Sequence, residues 1–469
     1  MKGLYLAFCL LLLSSALFAQ KEQPLPKDMP PYGPEKPMPA PDVKIEKLDN
    51  GLTLWLVARP GLPKISSLVV VSGGLASDPK ELPGISELLG RTVTTGTKSR
   101  TSKQIAEEMQ GAGADLSAGS SRDITQVSAS MLSAKMNQGL SVLADVVLNA
   151  SFPDSEVDLA KRNLSSAIDA REAQPGFQAN RALAKVLFKD GPYSVVGATK
   201  DSLAAMTAAD LKKEYARRFR PDQAILIVVG DFSADKMLAL VREKFGPWRA
   251  PAGPPVAPAS VPSVEVEHAA FLVPRPQSVQ TTLALAGLGP RRSDPDFEAA
   301  EVADGIYGGT FGSRLTLNIR EDKGYTYSPG SFLQTLRSAG LVRTQADVRN
   351  AVTGASLNEI FYELNRMATT SPTDRELEQV KRNLVGIQAI QLQSRGGLVG
   401  ELATLWVYGL PPGEIGEHGK KVAKVTAADV DAVARKYFGA SRMAVIAVGE
   451  EKAVREQLTP LGLPIHPAP

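Results

Sequence analysis

The sequence predicts an α+β protein of two homologous halves of about 220 residues, each a mostly antiparallel sheet flanked by helices, joined by a Pro/Ala-rich linker. Three observations point there. The 469 residues exceed what one hydrophobic core organises. Late stretches repeat early ones at a spacing of 219 or 220: Thr207-Ala208-Ala209-Asp210 recurs as Thr426-Ala427-Ala428-Asp429, and Phe219, Ile227 and Val229-Gly230 recur as Phe438, Ile446 and Val448-Gly449. Lys161-Arg162-Asn163-Leu164 likewise recurs as Lys381-Arg382-Asn383-Leu384, and Glu156 as Glu376. Matches in the same order, in two separate stretches, mark an internal duplication. Finally, the apolar runs come in pairs around Gly and Pro turns, without the regular strand–helix alternation of a parallel sheet.

Hydrophobic residues make up 43% and charged residues 22%, the balance of an ordinary globular chain. The net charge of +3 comes from interspersed acids and bases, and aromatics are only 6%, which argues against both a nucleic-acid footprint and a stacking platform for single strands. Residues 1–19 read as a secretory signal peptide, with Lys2, an apolar stretch at 4–13 and small residues before a cut after Ala19. The apolar stretch is too short for a membrane span. Its removal takes away Cys9, the only cysteine, leaving no disulfide and no cysteine metal ligand. A bacterial periplasm is the expected location. Residues 20–42 form a Pro-rich tether, with eight prolines between Pro24 and Pro41.

The first half runs from 43 to 249. Asn50-Gly51 leads into a strand at 52–57. A second apolar strand at 65–71 ends at Gly73-Gly74, and the two are expected to pair as a hairpin through Pro60-Gly61. Helices follow at 84–92 and 103–110, the latter capped by Ser102 and stopped by Gly111. Strands at 115–120 and 124–131 come next, then helices at 134–148, 155–172 and 178–188. A helix capped by Thr207, a buried strand at 224–229 and a helix at 234–245 complete the half. Residues 250–263 form the linker, and 264–469 the second half.

The stretch 313–328, SRLTLNIREDKGYTYS, carries the chemistry of the second half. Ser313 opens a helix, Gly324 stops it, and a β-prone Tyr325-Thr326-Tyr327 follows. Arg320 and Tyr327 flank the break. A guanidinium and a phenol are fixed donors suited to a developing oxyanion. They also have plain structural uses: an arginine in a last helical turn complements the helix dipole, and a tyrosine opening a strand packs in a core. Gly305, Gly308, Gly309 and Gly312 supply a hinge or tight loop, with an anion nest as the alternative. His268, His418 and His466 have no partner at metal-ligand spacing and are expected on the surface or in loops.

The duplication, together with Asn50-Gly51-Leu52, residues 84–97, Pro192-Tyr193, residues 220–231 and residues 313–328, resembles the pitrilysin/insulinase-type (inverted zincin) metallopeptidases. The likeness is to the small two-half members, similar to mitochondrial processing peptidase subunits. Active members carry H-x-x-E-H on a helix soon after the second strand, two histidines gripping zinc and a glutamate activating water. Here the first histidine position is Glu87, the glutamate position Gly90 and the second histidine position Arg91; the third ligand falls near Ala167. Arg91 repels a cation. Glu87 and Arg91, four residues apart, are either an ion pair in the old metal place or a solvated helix pair. In the second half, Gly308-Gly309, Ser313-Arg314-Leu315, Arg320-Glu321, Gly324 and Tyr327 match the family pattern. The match implies that Arg320 and Tyr327 hold a substrate carbonyl and its oxyanion.

The resemblance therefore implies an exported, noncatalytic subunit that binds no cofactor itself. Zinc is expected on a homologous zinc-motif-bearing partner, in a heterodimer that encloses a peptide substrate; a homodimer is the alternative assembly. The alternative function is an inactive scaffold or peptide-binding module of the same fold.

Overall fold

The computed structural model describes residues 40–261 and 264–469. The expected signal peptide and most of the tether lie outside the described residues. Each half is a six-stranded sheet backed by helices. The first contains β1 (Lys44–Lys47), β2 (Thr53–Ala58), β3 (Lys64–Ser72), β4 (Asp115–Ser120), β5 (Ile124–Leu132) and β6 (Ala224–Gly230), in the order β1-β2-β6-β3-β5-β4. The second contains β7 (Ala270–Pro274), β8 (Gln280–Gly289), β9 (Gly330–Thr335), β10 (Gly340–Arg349), β11 (Ala444–Gly449) and β12 (Ile465–Pro467), in the order β12-β7-β11-β8-β10-β9. The order matches strand for strand except at one edge. That edge is β1, antiparallel to β2, in the first half, and β12, parallel to β7, in the second. Most pairings are antiparallel, as expected for α+β.

The repeated letters do the same work twice. Thr207 and Thr426 both close capping boxes, with Asp210 and Asp429 as their partners. Lys161 donates to the Met206 carbonyl at 2.6 Å, and Lys381 to the Ala423 carbonyl at 3.1 Å, each tying the long helix of its half to the segment before the capping box.

Two local expectations change. The strands β2 and β3 do not form a hairpin, because β6 lies between them, parallel to β2 and antiparallel to β3. Its sequence AILIVVG is buried at every position, and a strand apolar on both faces belongs in the middle of a sheet. The helix Ser102–Gly111 is capped one residue earlier than expected, by Thr101, whose box with Gln104 satisfies both ends of the motif.

The halves interlock. The inner face of each sheet packs on its own helices, while the outer face is covered by a helix from the other half. Helix Pro175–Phe188 lays Ala179, Leu183 and Leu187 on Ala284, Ile446 and Val448 of the second sheet. Helix Arg395–Val407 lays Leu398, Leu402 and Leu405 on Leu68, Val70 and Ile227 of the first. The turns β4–β5 and β9–β10 also meet: the Asp123 carboxylate accepts from the Tyr193 hydroxyl at 2.6 Å and from the Arg337 amide at 3.1 Å. The linker lies along the molecule rather than spanning a gap. Val256 is buried, its amide donates to Gln223 at 2.9 Å, and its carbonyl accepts from the same side chain at 3.0 Å.

Candidate functional site

In the first half, Gly84 turns the chain at φ +89, and a Cβ there would lie 2.2 Å from Ala198 Cα, so only glycine fits this entry into the helix Ile85–Thr92. That helix carries Glu87, Gly90 and Arg91. The Glu87 carboxylate is only 18% exposed. It accepts from Arg171 Nη1 at 2.8 and 2.9 Å and from the Ala198 amide at 3.0 Å. Arg91 Nη2 stands farther off, at 3.6 Å. The Glu87–Arg91 pair therefore exists, but Arg171 is the main partner. Ala167 is partly buried against the core, and Arg171, one helical turn beyond it on the same helix, reaches Glu87 instead. The only sequence signal for Arg171 was that four-residue spacing.

Gly90 packs closely on the neighbouring strand. A Cβ there would lie 2.9 Å from the Cα and carbonyl carbon of Gly119 and from the Ser120 amide nitrogen. The helix rests directly on the β4 backbone, and the Ser120 hydroxyl fastens it by donating to the Ser86 carbonyl at 2.7 Å. A side chain at Gly90 has no room. Two guanidiniums converge on the one carboxylate, and among the described residues no group of three or more His, Cys, Asp or Glu stands close enough to hold a metal ion. These residues do not fit a zinc ion.

In the second half, the Ser313 hydroxyl accepts from the Thr316 amide and caps the short helix Arg314–Thr316. Arg314 is buried and grips Glu376 at 2.6 and 3.1 Å. Burial alone would raise the Glu376 carboxyl; Arg314 and Thr373 outweigh it and hold it down at about 2. The helix then widens into π-helical turns at Leu317–Asp322, and a second π segment, Gly305–Gly309, precedes it. Such turns are rare and gather at functional sites. Gly324, at φ +61, ends the helix. The expected strand at 325–327 is a single bridge, Thr326 to Val348, fastened by the Thr326 hydroxyl on the Asp347 carbonyl at 2.7 Å. The chain then bends away before β9, so a longer ladder does not form.

This geometry brings Arg320 and Tyr327 together. The guanidinium lies 4.9 Å from the Tyr327 ring centroid and 4.6 Å from that of Phe311, between the two rings. Its Nε reaches Glu321 at 3.1 Å. Tyr327 is 80% exposed and Phe311 68%. Tyr327 is thus not a core residue, while Arg320, in the last turn of its π segment, keeps 27% of its side chain exposed. Phe311, the third member, gave no sequence signal, since nothing local shows an exposed phenylalanine to be a stacking partner.

The glycines beside the pair serve close packing. A Cβ on Gly308 would meet Ser331 Oγ at 2.7 Å, and one on Gly309 would meet Asp304 Oδ2 at 2.7 Å. Burial pushes the Asp304 carboxyl up to about 7, although the Ser331 hydroxyl donates to it at 2.6 Å. One histidine departs from expectation. His418 is buried in the helix Glu414–Lys424, with Nε2 3.2 Å from Glu301 and Nδ1 3.6 Å from Glu298. Its two nitrogens point to different carboxylates, a wedge between acids rather than a ligand cluster. His466 pairs with exposed Glu267 at 3.1 Å.

Two family models match this chain. Residues 56–195 match the insulinase family of peptidases, M16, and residues 205–384 match the M16 inactive domain. The chain belongs to the M16 family. An uncharacterised zinc protease of Streptomyces coelicolor is 24% identical over 403 residues, covering 85% of this chain and 87% of that protein. One from Mycobacterium bovis is 28% identical over 425 residues, covering 87% and 93%. A solved M16 inactive-domain structure from Pseudomonas fluorescens superposes with a TM-score of 0.80 at 25% identity, over 87% of this chain and 98% of that one. A Helicobacter pylori protease shares the fold, with a TM-score of 0.82 at 18% identity over 87% and 100%.

Proposed function

We propose that this chain is the exported, non-zinc subunit of a heteromeric M16 metallopeptidase. It helps enclose a peptide, and Arg320 and Tyr327 donate to the scissile carbonyl or its oxyanion in the active site of a homologous, zinc-bearing partner. The metal chemistry belongs to that partner. One observation supports the proposal: the Arg320 guanidinium lies against the exposed Tyr327 and Phe311 rings, while Glu87 is paired with Arg171 and Gly90 is pressed against Gly119. An inert scaffold has no use for an exposed Tyr327 beside a positioned guanidinium. A fixed donor aimed at a developing oxyanion contributes about 10²–10³-fold in kcat.

The test mixes the purified chain with a zinc-bearing M16 homologue from the same organism and follows cleavage of a quenched fluorescent peptide. Arg320→Ala and Tyr327→Phe should each lower kcat by about 10²-fold while leaving co-purification of the two chains intact. Full activity in both variants refutes the assigned roles and favours the scaffold.

A further inference from the structure

Arg343 is buried where the two halves meet and has no counter-ion. It sits on β10 with 8% of its surface exposed. Its Nη1 donates to Asn180 Oδ1 and to Gln334 Oε1, both at 2.9 Å, and its guanidinium lies 5.3 Å from the Phe332 ring centroid. All three partners are neutral. No carboxylate among the described residues pairs with it, and its Nε and Nη2 have no acceptor there. Burial, and then repulsion from Arg122, pull its pKa down to about 10. Arg122, at the β4–β5 turn, is in a similar position: it donates to the Tyr193 carbonyl, and burial lowers its pKa as well. The nearby acid is Asp123, and both its oxygens are engaged, by the Tyr193 hydroxyl and the Arg337 amide.

Two guanidiniums thus share this region with Asp123, whose two oxygens are already engaged. A buried charge without an opposite partner is unfavourable, and an arginine keeping Nε and Nη2 free presents the fork that grips a carboxylate bidentately. The region is also open to a ligand. Arg122 and Gln334, the latter hydrogen-bonded to Arg343, line a cleft of 720 Å³ between the halves, together with Ser66, Ser117 and Ser128. Asp115 also lines the cleft, on the β4 side, where it accepts from Ser130 at 3.3 Å.

We propose that Arg343, with Arg122, forms an anion site for a carboxylate of a bound peptide. The inference rests on reading the chain as a peptide-enclosing subunit. The spacing fits an extended peptide. Thr326, beside Tyr327, bridges Val348, and Arg343 lies five residues along the same strand, about 17 Å away at the usual rise. A carboxylate held at Arg343 then lies on the order of five residues from a carbonyl held by Arg320 and Tyr327.

Fluorescence anisotropy with the purified full chain tests this, using dye-labelled, alanine-rich decapeptides. One has a free C-terminus, one is amidated, and one is amidated but carries a glutamate near its end. The free-carboxylate peptide should bind at least tenfold tighter than the plain amide, and the preference should shrink as salt rises. The glutamate peptide tells a side-chain carboxylate from a terminal one; tight binding of either supports the site. Arg343→Gln should abolish the preference, Arg343→Lys should keep part of it, and Arg122→Gln should weaken it. Gly386→Ala, which alters neither cluster, should leave it unchanged. Equal binding of the three peptides to the wild-type chain overturns the site without any variant, as does absence of binding or a preference that survives Arg343→Gln. A failed cleavage test at Arg320 with an intact carboxylate preference would instead sink the donor role alone.

Discussion

Replacing Gly90 with alanine tests why the first-half helix carries glycine there. The new Cβ would lie 2.9 Å from three backbone atoms of Gly119 and Ser120. Ordinary carbon contacts are about 3.5–4.0 Å, so helix and strand must part by at least about half an ångström. The helix is buried at Gly90, and the Ser120–Ser86 hydrogen bond resists that shift. Overpacking a tight core costs about 1–3 kcal/mol, while alanine gains about 1 kcal/mol over glycine in helix propensity. The net expectation is a loss of up to about 2 kcal/mol. Gly386 provides the control. It lies within the helix Asp374–Gln393, and a Cβ there meets nothing within 4 Å, so Gly386→Ala should stabilise by up to about 1 kcal/mol. Urea unfolding followed by circular dichroism measures both. Opposite signs support the contact as the reason glycine stands there. If Gly90→Ala stabilises the chain as much as Gly386→Ala does, the steric argument fails. Gly90→Glu should cost more than the alanine change, because it also places a carboxylate against β4.

Further outcomes follow from other contacts. Arg171→Ala leaves Glu87 only the Ala198 amide and the longer Arg91 contact, and should lower stability by about 1–3 kcal/mol, discounted for partial exposure; thermal melts at low and high salt measure it, and no change would make the pair ornamental. Asp304→Asn tests pH dependence. The folded-state value of about 7 lies above the ordinary 3.8, so this carboxyl's contribution to stability is fully present below pH 3.8 and is lost as pH rises through 7. The asparagine variant should therefore gain on the wild type between about pH 4 and 7, by up to about 4 kcal/mol, and a pH-independent difference in urea midpoints would refute the assignment. Asp123→Ala strips the acceptor from Tyr193 and Arg337 and the nearby negative charge from Arg122; a loss of about 2–3 kcal/mol in urea melts is expected, and a neutral result would show that the turn contact does not hold the halves together.

Much of the molecule was written in local sequence. The duplication was visible because both copies keep the same short-range devices, the Thr–Asp capping boxes at Thr207 and Thr426. The Arg320–Tyr327 pairing was visible because a helix stop at Gly324 turns a seven-residue spacing into proximity. Each of these depends on residues a few positions apart, where backbone geometry alone fixes who meets whom. The sequence did not determine which distant segments would meet. The strand β6 slipped between β2 and β3, although more than 150 residues separate them, because only a central position buries both its faces. Arg171 displaced Arg91 as the principal partner of Glu87 across 84 residues, and the helices Pro175–Phe188 and Arg395–Val407 crossed to cover each other's sheets. His418 became buried between two acids, and Arg343 without any, only when helices and strands from both halves closed around them. Charge balance and close packing in three dimensions are sums over neighbours that chain order does not reveal, and the tertiary structure alone set those sums.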